Sequence, residues 1–220
     1  MSSDLEVLRA IPEFAQLDPD ELAAVGRLVH TRHCERDELL FLEGEPGEAL
    51  YYVRSGLVKV FKTSADGKEQ VLRLFHPGES FNDVPVFDGG PNPASAMALE
   101  PSELYVIHRR DLLTLLAVHP HIAMGVIQVL AARLRYMVGL VEDLSFRHVT
   151  ARVAKILLTH SRALQPDAGH RLTQSEMAAL AGTAREMVGR ALKALEQEGA
   201  IVVHQGRITI RDRSKLEAIL

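Results

Sequence analysis

Three side chains near the C-terminal end, Arg185, Glu186 and Arg190, stand at positions i, i+1 and i+5. On a helix these positions fall close to one face. Arginine there can donate two hydrogen bonds to O6 and N7 of a guanine, and glutamate can accept from N4 of a cytosine. The same trio could also be a solvated helix face with local ion pairs, so its meaning depends on what carries it. A second group, His30, His33 and Cys34, has the residue types of a metal or haem site. Neighbours on a strand point to opposite faces, however, so His33 and Cys34 read as ordinary structure and no metal ligand is assigned.

The elements around the trio favour DNA. Thr173-Gln174-Ser175-Glu176 has the pattern of a capping box, and Thr183-Ala184-Arg185-Glu186 repeats it. Between them a short helix ends near Gly182. The helix after it carries Met187, Val188, Ala191, Leu192 and Leu195, with Val188, Ala191 and Leu192 on its buried side, and ends at Gly199. Ile201–Val203, a Gln205-Gly206 turn and Ile208–Ile210 make a small hairpin. Two helices joined by a tight turn and followed by a hairpin form a winged helix-turn-helix. Helix N-termini and capping hydroxyls can hold phosphate, so Thr173, Ser175 and Thr183 join Arg185, Glu186 and Arg190 as DNA-contact candidates.

Upstream, Asp18-Pro19-Asp20-Glu21 opens a helix that buries Leu22, Val25, Leu28 and Val29. From about Cys34 to Arg110 the texture changes to short apolar runs, at 39–42, 50–53, 57–61, 71–75 and 104–107. Turns bearing Gly or Pro separate them, which predicts an antiparallel sandwich or barrel. A short helix with Leu112, Leu113, Leu115 and Leu116 ends at His119-Pro120. A long one runs from about His121 to Leu144, and Thr150 caps another that runs through about Leu164. Along the long helix, Ile127, Leu130, Leu134, Met137, Val141 and Leu144 recur at threes and fours. Such a stripe packs either on its own sandwich or against a second copy, and its length favours a homodimer.

The chain has 220 residues and a formal net charge of −4. Residues 1–149 carry a balance of −8 and residues 150–220 one of +4, so the basic third sits where DNA is expected. A single cysteine excludes an internal disulfide and an iron–sulfur cluster. The start, Met1 to Glu6, lacks the layout of a signal peptide, and Arg133 and Arg135 break the most apolar stretch. A cytoplasmic protein with no membrane partner is expected.

The segment TQSEMAALAGTAREMVGRALKALEQEGAI resembles the helix-turn-helix of the Crp/Fnr transcription factors. FLEGEPGEALYYVRSGLVKVFKTSADGKEQVLRLFHPGESF resembles their cyclic-nucleotide-binding-type β-roll. The likeness covers nearly the whole chain. It implies an α+β fold with a jelly-roll sensor with flanking helices over 1–120, a dimerisation helix over 121–146 and a winged helix-turn-helix over 147–220. It implies a regulator and not an enzyme, with double-stranded DNA, a second copy and RNA polymerase as partners. By position Arg185, Glu186 and Arg190 match the family's base-reading residues, which implies a TGTGA-like half-site in an inverted repeat and the role of an activator.

The sensor departs from the cyclic-AMP branch. Slots that there hold Gly-Glu and Arg-Ser are Asn82, Asp83, Pro93 and Ala94, and the two adenine-facing positions are Met137 and Val138. A cyclic phosphate without its arginine, beside Asp83, would be repelled. The expectation is a less polar pocket and an effector other than cyclic AMP, such as haem in a Dnr-type branch. The competing reading is a β-roll metal- or ligand-binding protein without DNA function, since His76-Pro77-Gly78-Glu79 faintly resembles a cupin motif. A cupin needs a His-x-His pair, and His76 has no such neighbour.

Overall fold

The computed structural model describes residues 8–9, 11, 14–15, 17–161, 171–204 and 207–220. The start Met1–Glu6, the expected loop at 165–169 and the Gln205-Gly206 turn lie outside them. The chain falls into two compact units. One is Met1–Lys62 with Arg73–Arg135, and the other is Thr63–Leu72 with Tyr136–Leu220.

The first unit opens with helix α1 (Pro19–Gly26), started as expected. Asp18 Oδ1 accepts from the amides of Asp20 and Glu21, and Glu21 returns a bond to the amide of Asp18. The helix buries Leu22 and Val25 but ends before Leu28 and Val29, which are partly buried in the segment leading to β1. The roll follows as β1 (His30–Cys34), β2 (Leu39–Phe41), β3 (Ala49–Ser55), β4 (Val58–Thr63), β5 (Glu69–Phe75), β6 (Ser80–Phe81), β7 (Ser95–Ala98) and β8 (Ser102–His108). Two four-stranded sheets result, ordered β1-β8-β3-β6 and β2-β7-β4-β5. Antiparallel pairing such as Leu50 with Ile107 and Val53 with Leu104 sets the register of the first sheet. Cys34, Leu40, Val53, Val58, Phe81, Ala96 and Leu104 fill the space between the sheets. Period-2 alternation delivers these side chains to one face.

Between β6 and β7 stands a helix the sequence pattern did not reveal, α2 (Asp83–Asp88). It begins at Asn82, whose φ of 70° is left-handed. Asparagine tolerates that conformation better than most non-glycine residues, and its side chain donates to the carbonyl of Ala49. Helices α3 (Arg109–Val118) and α4 (Ile122–Phe146) follow, with His119 ending the first. Length and apolar content alone would let α4 cross a bilayer. It is used otherwise: Ile122 and Val126 are buried in the core with Leu50, Tyr52, Ile107 and Leu112, and Leu130 packs partly on it.

The second unit contains α5 (Val149–Thr159), α6 (Gln174–Ala181), α7 (Arg185–Gln197), the hairpin β9 (Ile201–His204) with β10 (Arg207–Ile210), and α8 (Arg213–Glu217). Its interior takes Val153, Leu157, Met177, Ala181, Val188, Leu192, Leu195, Ile201 and Leu216. One expectation fails here. Residue His148, not Thr150, is the N-cap of α5, so Thr150 lies inside the first turn. Met187 is exposed, because it falls on the outer side of α7, away from Val188 and Ala191.

Candidate nucleic-acid interface and effector site

Gly182, with φ of 60°, ends α6 and turns the chain into α7. A Cβ there would meet Leu144 Cδ2 at 2.7 Å and Gln70 Oε1 at 2.8 Å, side-chain ends that would have to shift, and the left-handed conformation itself selects glycine. The first capping box forms: Thr173 Oγ1 accepts from the Glu176 amide, and Glu176 accepts from the Thr173 amide. The second does not. The N-cap of α7 is Ala184, which has no side-chain acceptor, so the helix starts one residue later than the Thr183 pattern suggests. Glu186 is thereby available to Arg190, with which it forms an i,i+4 ion pair at 2.5 Å.

The result is a helix whose first turns present Arg185, Glu186 and Arg190 outward while Val188, Ala191, Leu192 and Leu195 are buried. The side chains of Arg190 and Glu186 are 69% and 74% exposed. Thr173 and Ser175 are exposed at the start of α6, and Thr183 is half-buried in the turn. A projecting helix start with two guanidiniums and a carboxylate has the donor and acceptor set needed to read base edges.

In the first unit the expected effector slots are differently filled. Asp83 is 4% exposed, and the guanidinium of Arg133, from the middle of α4, lies against it as an ion pair. Arg133 also donates to Ser80 Oγ at 2.9 Å and lies 5.8 Å from the centre of the Phe75 ring. The roll therefore holds a cation beside Asp83 after all, one the local pattern at 82–94 could not show. That cation is already engaged by Asp83. Pro93 is exposed and Ala94 buried. Met137 and Val138 belong to the second unit. Met137 is half-buried, and Val138 is 62% exposed, in line with Ile127, Leu134 and Val141.

A cavity of about 300 Å³ lies beside this ion pair, lined by Arg73, Glu79 and Ser80 of the roll and by Gln128, Val129 and Arg133 of α4, among others. None of its lining residues is His, Cys, Met or Tyr, so it offers no axial ligand and does not fit haem. The other candidate cluster does not assemble either. His30 and His33 are exposed while Cys34 is buried, and burial pushes its thiol pKa up. Among the described residues no group of three His, Cys, Asp or Glu side chains is placed to hold a metal ion.

A roll of this kind, a long helix and a winged helix-turn-helix define a DNA-binding transcription regulator. Residues 31–119 match the cyclic nucleotide-binding domain, and residues 151–219 match the Crp-like helix-turn-helix domain. The cyclic AMP receptor protein of Thermus thermophilus is 36% identical over 214 residues, covering 96% of this chain and 98% of that one. Among solved structures, FixK2 from Bradyrhizobium japonicum aligns with a TM-score of 0.76 at 25% identity, over 87% of this chain and 96% of its own. The c-di-GMP-responsive regulator CLP of Xanthomonas campestris gives 0.74 at 26%, over 88% and 99%. The chain belongs to the Crp/Fnr family of transcription regulators, and its fold is the α+β roll and winged helix-turn-helix of that family.

Proposed function

We propose that the chain acts as a homodimer that reads a TGTGA-like inverted repeat with Arg185, Glu186 and Arg190. Control comes from a small effector, other than cyclic AMP, bound by the roll. Residues 1–120 sense, 121–146 dimerise and 147–220 bind DNA, with Thr173, Ser175 and Thr183 placed for phosphate contacts. The protein works in the cytoplasm with RNA polymerase as an activator.

The observation that carries the reading is the outward trio on the first turns of α7, a helix that buries Val188, Ala191, Leu192 and Leu195 on its other side. The second copy is supported by α4. Ile127, Leu134, Val138 and Val141 are 56%, 67%, 62% and 64% exposed, a strip of apolar surface with seam spacing. The seam begins more narrowly than the six-residue stripe, because Leu130 packs partly on its own roll. The effector reading is supported by Pro93 in the phosphate-arginine slot and by the engagement of Arg133 with Asp83. Two of the relatives state an effector in their names, cyclic AMP in one and c-di-GMP in the other, so family membership does not select one.

Fluorescence anisotropy on an inverted-repeat TGTGA duplex, beside a scrambled duplex, tests the DNA reading. Specific binding should exceed non-specific binding by at least about 10³, and both should weaken steeply with salt. Equal affinity for the two duplexes would contradict it.

A further inference from the structure

The end of α4 and the start of α5 carry a charge cluster that the DNA-reading and sensing roles leave unused. Asp143 is 8% exposed and is the carboxylate of this cluster. Arg147, one turn on, brings Nε to 2.7 Å of its Oδ1, as an ionic contact rather than an aligned hydrogen bond. Lys155 of α5 reaches its other oxygen. Arg147 also donates to the backbone of Leu220. Arg152 donates to the carbonyl of Arg147 at 2.7 Å and, through Nε, to the carbonyl of Ala181 at 2.7 Å. Ala181 is the last residue of α6, and the next residue, Gly182, stands against Leu144 of α4.

These contacts form one chain of links. Asp143 fixes Arg147 and Lys155, Arg147 presents its carbonyl to Arg152, and Arg152 holds the carbonyl just before the turn that aims α7. We propose that Asp143 and Lys155 are positioning residues for the base-reading helix. The ion pair locks the α4–α5 joint, and Arg152 and Leu144 pass that constraint to the Gly182 turn. The proposal rests on α7 being the base-reading helix. A two-fold dimer must present its two reading helices at a fixed spacing to bind both half-sites at once. A locked joint keeps that spacing, and a loosened one gives up part of the advantage of two-site binding.

The geometry also explains why the ion pair matters at this position. A carboxylate this buried needs compensation, and the two cations come from opposite sides of the joint, so bending the joint separates charges in a poorly solvated place. A neutral pair would pack without that directionality.

Three full-length variants test this: Asp143→Asn, Lys155→Met, which keeps length but not charge, and Lys155→Arg, which keeps charge. Two quantities are read, specific affinity for the inverted-repeat duplex and hydrogen exchange at the amides of residues 182–186. Asp143→Asn and Lys155→Met should weaken specific binding about fivefold or more and speed exchange at the turn, while Lys155→Arg restores both. A folded Lys155→Met protein with unchanged affinity and unchanged exchange would overturn the proposal, as would tighter binding. The exchange readout does not depend on which residues read bases. Changed exchange at the turn, with Arg185 and Arg190 variants that leave sequence preference intact, would therefore locate the failure in the base-reading assignment and not in the joint.

Discussion

The two candidate sites of this molecule treat charge in opposite ways. On α7, Arg185, Glu186 and Arg190 project into solvent, and the ion pair of Glu186 with Arg190 is more than two-thirds exposed on both sides. Exposed pairs of this kind contribute little to stability, roughly 0–1 kcal/mol, and are easily exchanged for a partner with better geometry. In the roll, Asp83 and Arg133 are largely withdrawn from water; Arg133 lies against Asp83 as an ionic contact and donates to Ser80. The α7 surface therefore leaves its charges open to an outside partner, whereas the roll has used this pair internally. An effector entering beside Arg133 must compete with Asp83 or leave that pair alone.

The largest effect that would break this comparison lies on the helix between the sites. Leu134→Glu places a charge on the exposed apolar strip of α4, which a second copy would bury. Sedimentation should show monomers, and affinity for an inverted repeat should fall by at least about 100-fold as two-site binding is lost. A dimer of undiminished affinity would remove α4 as the seam.

Next in size is the roll's own pair. Arg133→Gln leaves Asp83 buried without its cation, which typically costs about 3 kcal/mol or more. Denaturant unfolding followed at the roll should show this loss. A change below about 0.5 kcal/mol would mean that Asp83 is solvated or neutral, and that the two sites do not differ as described.

A calorimetric titration with cyclic AMP sharpens the sensor half. With Pro93 exposed in the arginine slot and Arg133 engaged, the phosphate lacks its charge-assisted partner. Loss of such a pair costs several kcal/mol, enough to move micromolar binding to about millimolar. Micromolar affinity coupled to tighter DNA binding would show that Arg133 leaves Asp83 for the ligand.

The smallest effect concerns acid. The Glu21 carboxyl is held below its ordinary range, chiefly by the backbone N–H of Asp18, with His119 at 2.9 Å adding to it. A depressed carboxyl contributes stability above the unfolded pKa and loses it as the pH falls through the folded one. The stability gap between the unsubstituted protein and Glu21→Ala should therefore be full above the ordinary carboxylate pKa of about 4.3 and narrow progressively as the pH falls below it. A gap that does not narrow on acidification would assign the role of Glu21 to packing instead of charge.

What could be read from the sequence was local. The boxes at Asp18 and Thr173, the long helix and the wing all announce themselves within a few residues, and each is observed where expected. The trio on α7 was legible for the same reason. What failed was decided at a distance or by one residue of register. The Thr183 box is undone because the helix begins after Ala184. Helix α2 is six residues long, contains Pro85 and starts from a left-handed Asn82, so it has no periodicity to detect. Arg133 and Asp83 are 50 residues apart, and only the packing of α4 against the roll joins them. A slot-by-slot reading of 82–94 sees a missing arginine and not the distant cation that pairs with Asp83.

The most direct test of the central claim is a panel of inverted-repeat duplexes, each with one half-site base pair changed, titrated with the unsubstituted protein, Arg185→Ala, Arg190→Ala and Lys193→Ala. Each of the first two variants should lose about 1–3 kcal/mol of specific binding and lose its preference at one guanine, while retaining it elsewhere. Lys193→Ala should shift all duplexes alike, if at all. If Arg185→Ala and Arg190→Ala also lower every duplex by the same factor, these side chains contact phosphate or nothing, and α7 does not read the sequence.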